Sequence, residues 1–118
     1  MKNVLIVEDD RDTVRLLSIL LSIDGYEVHQ ASTADDALRL AREGVADRFI
    51  IDAHLSDSSG LKLVKQLRSE ELLNCHAIVV ISGLDMSHKA ISAGADAFLL
   101  KPFQADDLFA ALEHNTNI

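Results

Sequence analysis

The sequence predicts a doubly wound α/β fold, with a five-stranded parallel sheet flanked by five helices. Three observations predict it. Short β-branched runs alternate five times with segments of helical period, and the runs Val4–Val7 and Ile78–Ile81 are apolar throughout. Gly25, Gly44 and Gly94 each stand just past a helical segment, where a left-handed residue is wanted. Uninterrupted apolar strands are expected where helices cover both faces of a parallel sheet, and strict alternation of strand and helix produces that arrangement.

The elements follow in order. A strand over Asn3–Val7 precedes a helix over Asp12–Ile23. In that helix Val14, Leu17, Ile19, Leu20, Leu21 and Ile23 read as one wide apolar face, leaving Arg11, Arg15 and Asp24 for solvent. A strand over Glu27–Ala31 leads through Ser32-Thr33, a plausible helix start, into a helix over Ala34–Glu43. Asp35 and Asp36 place negative charge on its first turn, where the helix dipole favours it. The third unit pairs a strand over Arg48–Asp52 with a helix over Gly60–Ser69. The fourth joins Ala77–Ile81 to a short segment about Met86–Ala93, and the fifth joins Ala97–Leu100 to Ala105–His114. Gln104 starts that last helix, with Asp106 and Asp107 on its first turn. No linker, repeat or low-complexity stretch interrupts the series, and the tail Asn115–Ile118 is expected to fray.

At 118 residues the chain reads as one domain, long enough to bury a core without disulfides or a structural metal. Its formal net charge of −8 argues against binding nucleic acid or an anionic membrane through its general field. The single Cys75 excludes an internal disulfide and suits a reducing cytosol; it is expected to be a small buried or half-buried side chain. No apolar run reaches the ~18 residues of a membrane span, so a cytoplasmic protein is expected. Met1, just ahead of the first strand, reads as a native start, whereas Ile118 is compatible with a natural end or a boundary.

Four strand ends carry polar residues of definite kinds. Glu8-Asp9-Asp10 follow the first, Asp52 ends the third, Ser82 follows the fourth and Lys101-Pro102 follow the fifth. In a parallel sheet these ends share one edge, where ligands of open α/β sheets bind. Carboxylates converging there repel one another unless a cation or a proton lies between them. Mg2+ suits such a site, because it takes a few carboxylates and keeps several waters. A carboxylate oriented by that metal can attack phosphorus and form an aspartyl phosphate. Lys101 and the Ser82 hydroxyl would then steady the equatorial oxygens, where charge resides during transfer.

With those stretches in place, the chain resembles the receiver domain of two-component response regulators over nearly its whole length. The resemblance is carried by Val4-Leu5-Ile6-Val7-Glu8-Asp9-Asp10, by Phe49-Ile50-Ile51-Asp52 with Gly60-Leu61, by Val79-Val80-Ile81-Ser82-Gly83, and by Ala93 through Phe103 around Lys101-Pro102. It implies a flavodoxin-like strand order of 2-1-3-4-5. It also implies a signalling module that catalyses only its own phosphorylation and dephosphorylation, with a sensor histidine kinase or histidine phosphotransfer protein as partner and Mg2+ as cofactor. Asp52 matches the phosphoacceptor. Asp9 matches a direct metal ligand, Glu8 one acting through water, and His54 the position whose backbone carbonyl completes the metal site. Ser82 and Phe98 match the switching pair, Lys101 the lysine of the site, and Lys101-Pro102 a cis peptide that would aim the amine inward.

The chain also departs from the family. Where relatives commonly have proline and aspartate, the loop after Asp52 has Ser56 and Ser59, which predicts a less rigid loop. The interval from Ser82 to Lys101 is a few residues shorter than usual, so the fourth helix or the loop before it is expected to be truncated. Ala111 stands where dimer-forming relatives offer a basic residue, so a dimer through the last two helices and strand is not carried over, although homodimerisation as such is left open.

Blander readings apply to other residues. Asp10 reads as a helix-start acid. His29, His54, His76, His88 and His114 show no second histidine at ligand spacing and are expected at the surface. Asp57 lies beyond its strand and is set aside as a nucleophile. Three rival classes remain. A flavodoxin-like cofactor binder would need a phosphate-cradling loop where Glu8-Asp9-Asp10 stand. A haloacid-dehalogenase-like phosphatase would need an acid at His54. A receiver-like module that works without phosphorylation would not need its chemical positions filled.

Overall fold

The computed structural model describes residues 2–70 and 77–113. Cys75, His76, His114 and residues 115–118 lie outside them, so the expectations for those residues are not addressed. Five parallel strands, β1 (Lys2–Val7), β2 (Tyr26–Ala31), β3 (Arg48–Asp52), β4 (Ala77–Ser82) and β5 (Ala97–Leu100), form one sheet in the order β2-β1-β3-β4-β5. The helices are α1 (Arg11–Ile23), α2 (Ala34–Arg42), α3 (Gly60–Ser69), α4 (Ser87–Ala93) and α5 (Ala105–Glu113). The predicted fold class and strand order are both observed.

The period-2 alternation of a strand explains why the central runs are wholly apolar. Val4 and Ile6 of β1, Ile50 of β3, and Val79 and Ile81 of β4 pack with Leu17 and Leu21 of α1 and Leu108 and Leu112 of α5. Their neighbours Leu5, Val7, Phe49, Ile51, Ile78 and Val80 face the other way, onto Leu38 of α2, Leu63, Val64 and Leu67 of α3, and Ala90 of α4. Each such fully buried aliphatic side chain contributes roughly 1.5–3 kcal/mol by leaving water. The two layers fix the strands in register, and so fix where their carboxyl ends lie.

The apolar face of α1 is narrower than the sequence reading. Leu17 and Leu21 are buried, but Ile19 and Ile23 are 53% and 80% exposed. At 100° per residue, Ile19 and Ile23 stand about 200° from Leu17 and Leu21, on the opposite side of the helix. Ala111 is likewise not a surface position: it is buried against the sheet, so its lack of charge does not bear on a dimer face. His54 and His88 are exposed as expected, whereas His29 is half-buried, with its ring 3.1 Å from Asn3 Oδ1.

The caps follow ordinary helix chemistry. Asp10 caps α1, its side chain accepting from the Thr13 amide at 3.0 Å, and Thr33 caps α2 through the Asp36 amide. Gly94 closes α4 at φ 117, a conformation a side chain resists. The shortened interval before Lys101 appears as a fourth helix of only 7 residues. Arg68 of α3 ties this region together, donating to Gly94 O at 2.7 Å and to Asp96 Oδ2 at 2.6 Å, while Asp96 Oδ2 also accepts from the Ile78 amide. Among the described residues, no helix is long and apolar enough to cross a membrane.

Candidate functional site

Parallel pairing brings β1, β3, β4 and β5 to one edge, and the residues that end them meet there. Glu8 follows β1 with its amide bonded to Ala31 O at 3.1 Å and its carbonyl accepting from Gln30 Nε2 at 3.1 Å. Its carboxylate turns inward and is buried, with Oε2 accepting from the amides of Asp9 and Asp10 at 3.0 and 3.3 Å. Asp52, the last residue of β3, is also buried. One of its oxygens accepts from the His54 amide at 2.8 Å and the other from Lys101 Nζ at 2.9 Å. The same ammonium reaches Glu8 Oε1 at 3.1 Å. Glu8 and Asp52, which lie 93 and 49 positions before Lys101 in the chain, are thus joined through that one lysine.

Lys101 is delivered by the end of β5. Its amide donates to Ser82 O at 2.8 Å, and the Lys101-Pro102 peptide is cis. Ser82 is buried at the end of β4, one residue beyond the sequence-based boundary, with its Oγ accepting from the Leu84 amide at 3.1 Å. Phe98 is half-buried against the core on the α2–α4 side. Asp9 is half-buried and turns toward the β3–α3 loop, where Ser56 donates to Asp9 Oδ2 from its amide at 2.9 Å and from its hydroxyl. Asp57, on the same loop, is exposed and accepts from the Ser58 hydroxyl at 3.2 Å.

The electrostatics are those of acids crowded around too few cations. Burial, and then the neighbouring Asp52, push the Glu8 carboxyl up to about 7, with the bond from Lys101 opposing them. Partial burial pulls Lys101 down, but its hydrogen bonds to Asp52 and Glu8 outweigh this and hold it above the ordinary lysine value. The donors on Ser56 keep Asp9 below the usual carboxylate range.

The folded state therefore holds a proton on Glu8 more tightly than the unfolded chain, whose value is near 4.5. This contribution to stability is complete below that value and is lost as pH rises through about 7. In metal-free buffer, wild type should lose roughly 2–3 kcal/mol over that interval relative to Glu8→Gln. Urea unfolding at pH 4.5, 6 and 8 checks it; parallel curves for the two proteins would show that Glu8 titrates normally.

Sequence reasoning had placed Glu8, Asp9, Asp52, Ser82 and Lys101 at this edge, and the coordinates bring them there. The bonds from Ser56 to Asp9 were not foreseen. Ser56 was legible only as a missing proline, because a bond between residues 47 apart leaves no local pattern. Gln30, which anchors the Glu8 carbonyl from β2, was also missed.

The family model of the response regulator receiver domain matches residues 4–113. The chain belongs to that family. Among curated relatives it is 40% identical to the transcriptional regulatory protein KdpE of Mycobacterium tuberculosis, over 95% of this chain and 50% of the relative. It is 37% identical to the KDP operon transcriptional regulatory protein KdpE of Escherichia coli, over 95% and 50%. The chain thus spans about half the length of these curated relatives. A response regulator from Chloroflexus aurantiacus superposes with a TM-score of 0.89 at 28% identity, covering 97% of this chain and 96% of that one. Another, from Burkholderia pseudomallei, superposes with a TM-score of 0.86 at 33% identity, over 98% and 68%; its crystal structure holds a phosphorylated aspartic acid, a calcium ion and citrate. As a receiver domain of two-component systems, the chain is a signalling domain.

Proposed function

We propose that this receiver domain is switched by Mg2+-assisted phosphorylation of Asp52. The observation that carries the reading is the Lys101 ammonium held 2.9 Å from Asp52 and 3.1 Å from Glu8 at the carboxyl edge of the sheet. The phosphorylated aspartic acid in the Burkholderia relative supports the same chemistry.

The donor set fits a hard, well-hydrated cation. Among the described residues, no three His, Cys, Asp or Glu side chains are gathered closely enough to hold a metal by themselves. Mg2+ does not require that, because it retains waters and binds through one or two carboxylates. Asp9 and Asp52 would be the direct carboxylates, the His54 carbonyl a neutral ligand, and Glu8 a partner through water. The raised pKa of Glu8 and the crowding of acids would both be relieved by a divalent charge. When bound, the ion supplies charge neutralisation for the incoming phosphoryl group.

A carboxylate oxygen of Asp52 attacks the phosphorus of a phosphohistidine. The new O–P bond forms as the N–P bond breaks, and the electron pair leaves with the imidazole nitrogen. Lys101 pairs with a phosphoryl oxygen as its share of Asp52 is lost, and the Ser82 hydroxyl, which accepts from the Leu84 amide at rest, turns to donate to a second phosphoryl oxygen. That withdrawal of Ser82 opens room toward which Phe98 turns, so added charge at one edge biases the β4–β5 face. Dephosphorylation by water at the same site returns the switch, and no outside substrate is turned over. The sensor kinase or phosphotransfer protein presents its phosphohistidine inside the cell, so a cytoplasmic setting follows from the same reading. The curated relatives are named transcriptional regulators, and by the same token the switch would report to a segment or partner beyond this fold.

Incubation with acetyl phosphate and Mg2+ followed by borohydride reduction should trap one acyl phosphate per chain, mapped by peptide mass to Asp52 and abolished by EDTA. Trapping at Asp9 or Asp57, or uptake indifferent to EDTA, would overturn the assignment.

A further inference from the structure

We propose that Ser56 is a positioning residue for the metal pocket, using its amide and its hydroxyl to fix the Asp9 carboxylate against the β3–α3 loop. The inference rests on the Mg2+ reading above. Asp9 belongs to the β1–α1 turn, whereas the other protein ligands, Asp52 and the His54 carbonyl, belong to β3 and the loop after it. Nothing in the sheet itself aligns the Asp9 side chain with that loop. Ser56 does so, donating twice to one oxygen, Oδ2, with the amide at 2.9 Å.

The loop is closed so as to present this amide. Leu55 N donates to Ser58 O at 3.1 Å, His54 and Ser59 form an antiparallel bridge, and Gly60 N donates to Ala53 O at 2.9 Å. His54 is two residues from Ser56 on the same closed loop and is anchored through its amide to Asp52 at 2.8 Å. Asp9, His54 and Asp52 are therefore one connected body, and Ser56 is the connection to Asp9. Hydrogen bonds that orient a ligating carboxylate typically change metal affinity by 10–100-fold when removed. A proline at this position would lack the amide hydrogen as well as the hydroxyl.

The test is Mg2+ titration by isothermal calorimetry on wild type, Ser56→Ala, Ser56→Pro and Ser56→Thr, with thermal melts in EDTA as the folding control. Ser56→Pro should weaken Mg2+ binding by about tenfold or more, and Ser56→Ala by less because its amide remains, while Ser56→Thr keeps near wild-type affinity. The Mg2+ concentration giving half-maximal phosphoryl uptake from acetyl phosphate should rise in the same order as the calorimetric affinities fall, with the phosphoryl still mapped to Asp52, which separates metal positioning from damage to Asp52. Folded Ala and Pro variants that bind Mg2+ as tightly as wild type would overturn the role of Ser56 alone. Should Ser56→Pro fail to fold, the Ala and Thr variants decide the question in the same way. Wild type that takes up no Mg2+ would instead remove the metal reading, and this inference with it.

Discussion

Gly60→Ala should be among the most damaging single-methyl changes in this protein, lowering stability by about 3 kcal/mol and slowing phosphoryl uptake about a hundredfold. Gly60 opens α3 and is buried directly beneath the end of β3. A β-carbon there would fall 1.9 Å from the Asp52 carbonyl oxygen, 2.8 Å from its carbonyl carbon and 3.0 Å from Ala53 Cα. All three are backbone atoms, so no side chain can rotate away, and either α3 or the end of β3 must shift. The Gly60 amide bond to Ala53 O at 2.9 Å holds the two segments at this spacing. The displaced residue is the proposed nucleophile itself, and a misplacement on the order of 1 Å at a reacting group is enough for a loss of that size. Gly83→Ala is the control, since a β-carbon there meets nothing within 4 Å, and its stability should stay within about 0.5 kcal/mol of wild type. Urea unfolding and single-turnover uptake from acetyl phosphate measure both effects. A Gly60→Ala protein as stable and as fast as Gly83→Ala would mean that the contact relaxes freely.

Gly60 shows where reading the sequence stopped. Its place at the start of a helix was legible, but its closeness to the Asp52 backbone was not, because no local pattern reports which backbone passes beneath a glycine. The strands were legible because β1, β3 and β4 are covered on both faces and so appear as unbroken apolar runs, and because Gly25, Gly44 and Gly94 end the helices before or between them. Glu8, Asp52, Ser82 and Lys101 were legible for a related reason: each interrupts or follows an apolar run at a point where only the shared edge of the sheet can receive it. Ile19 and Ile23 were misplaced because a helix rich in aliphatic residues on every side hides its own period. Arg48 went unnoticed as a buried charge at the start of β3. Its carboxylate partners are the adjacent Asp47 and, 65 residues on at the end of α5, Glu113, each 3.3 Å away, with Tyr26 packed beside Arg48 and donating to Glu113. That cluster lies at the opposite edge of the sheet from the proposed phosphoryl site and braces the starts of the strands that lead to it.

Asp52→Asn and Lys101→Gln should move stability in opposite directions, although both remove a charge from the same site. Asp52→Asn removes one of two buried carboxylates that share a single ammonium, and the amide oxygen can keep the bond from His54. The remaining pair, Lys101 and Glu8, is balanced, and Glu8 loses the neighbour that helps to raise its pKa. The variant should take up no phosphoryl and be at least as stable as wild type at pH 8. Lys101→Gln leaves Glu8 and Asp52, both buried, without their cation. Stranding a buried charge typically costs 3–5 kcal/mol, and the partial exposure of Lys101, which lets water in, brings the expected loss here to about 2 kcal/mol at pH 8. Without the lysine, Glu8 rises still further, so the deficit should shrink as the pH is lowered and Glu8 takes a proton. The double variant isolates the coupling. Adding Asp52→Asn to Lys101→Gln should recover most of the lost stability, because the two changes act on one shared interaction and so do not add. Urea melts of the four proteins at pH 5.5 and pH 8 in EDTA supply the cycle. Additive losses with no dependence on pH would mean that the ammonium merely lies near the carboxylates and that the charge balance proposed to drive the switch is absent.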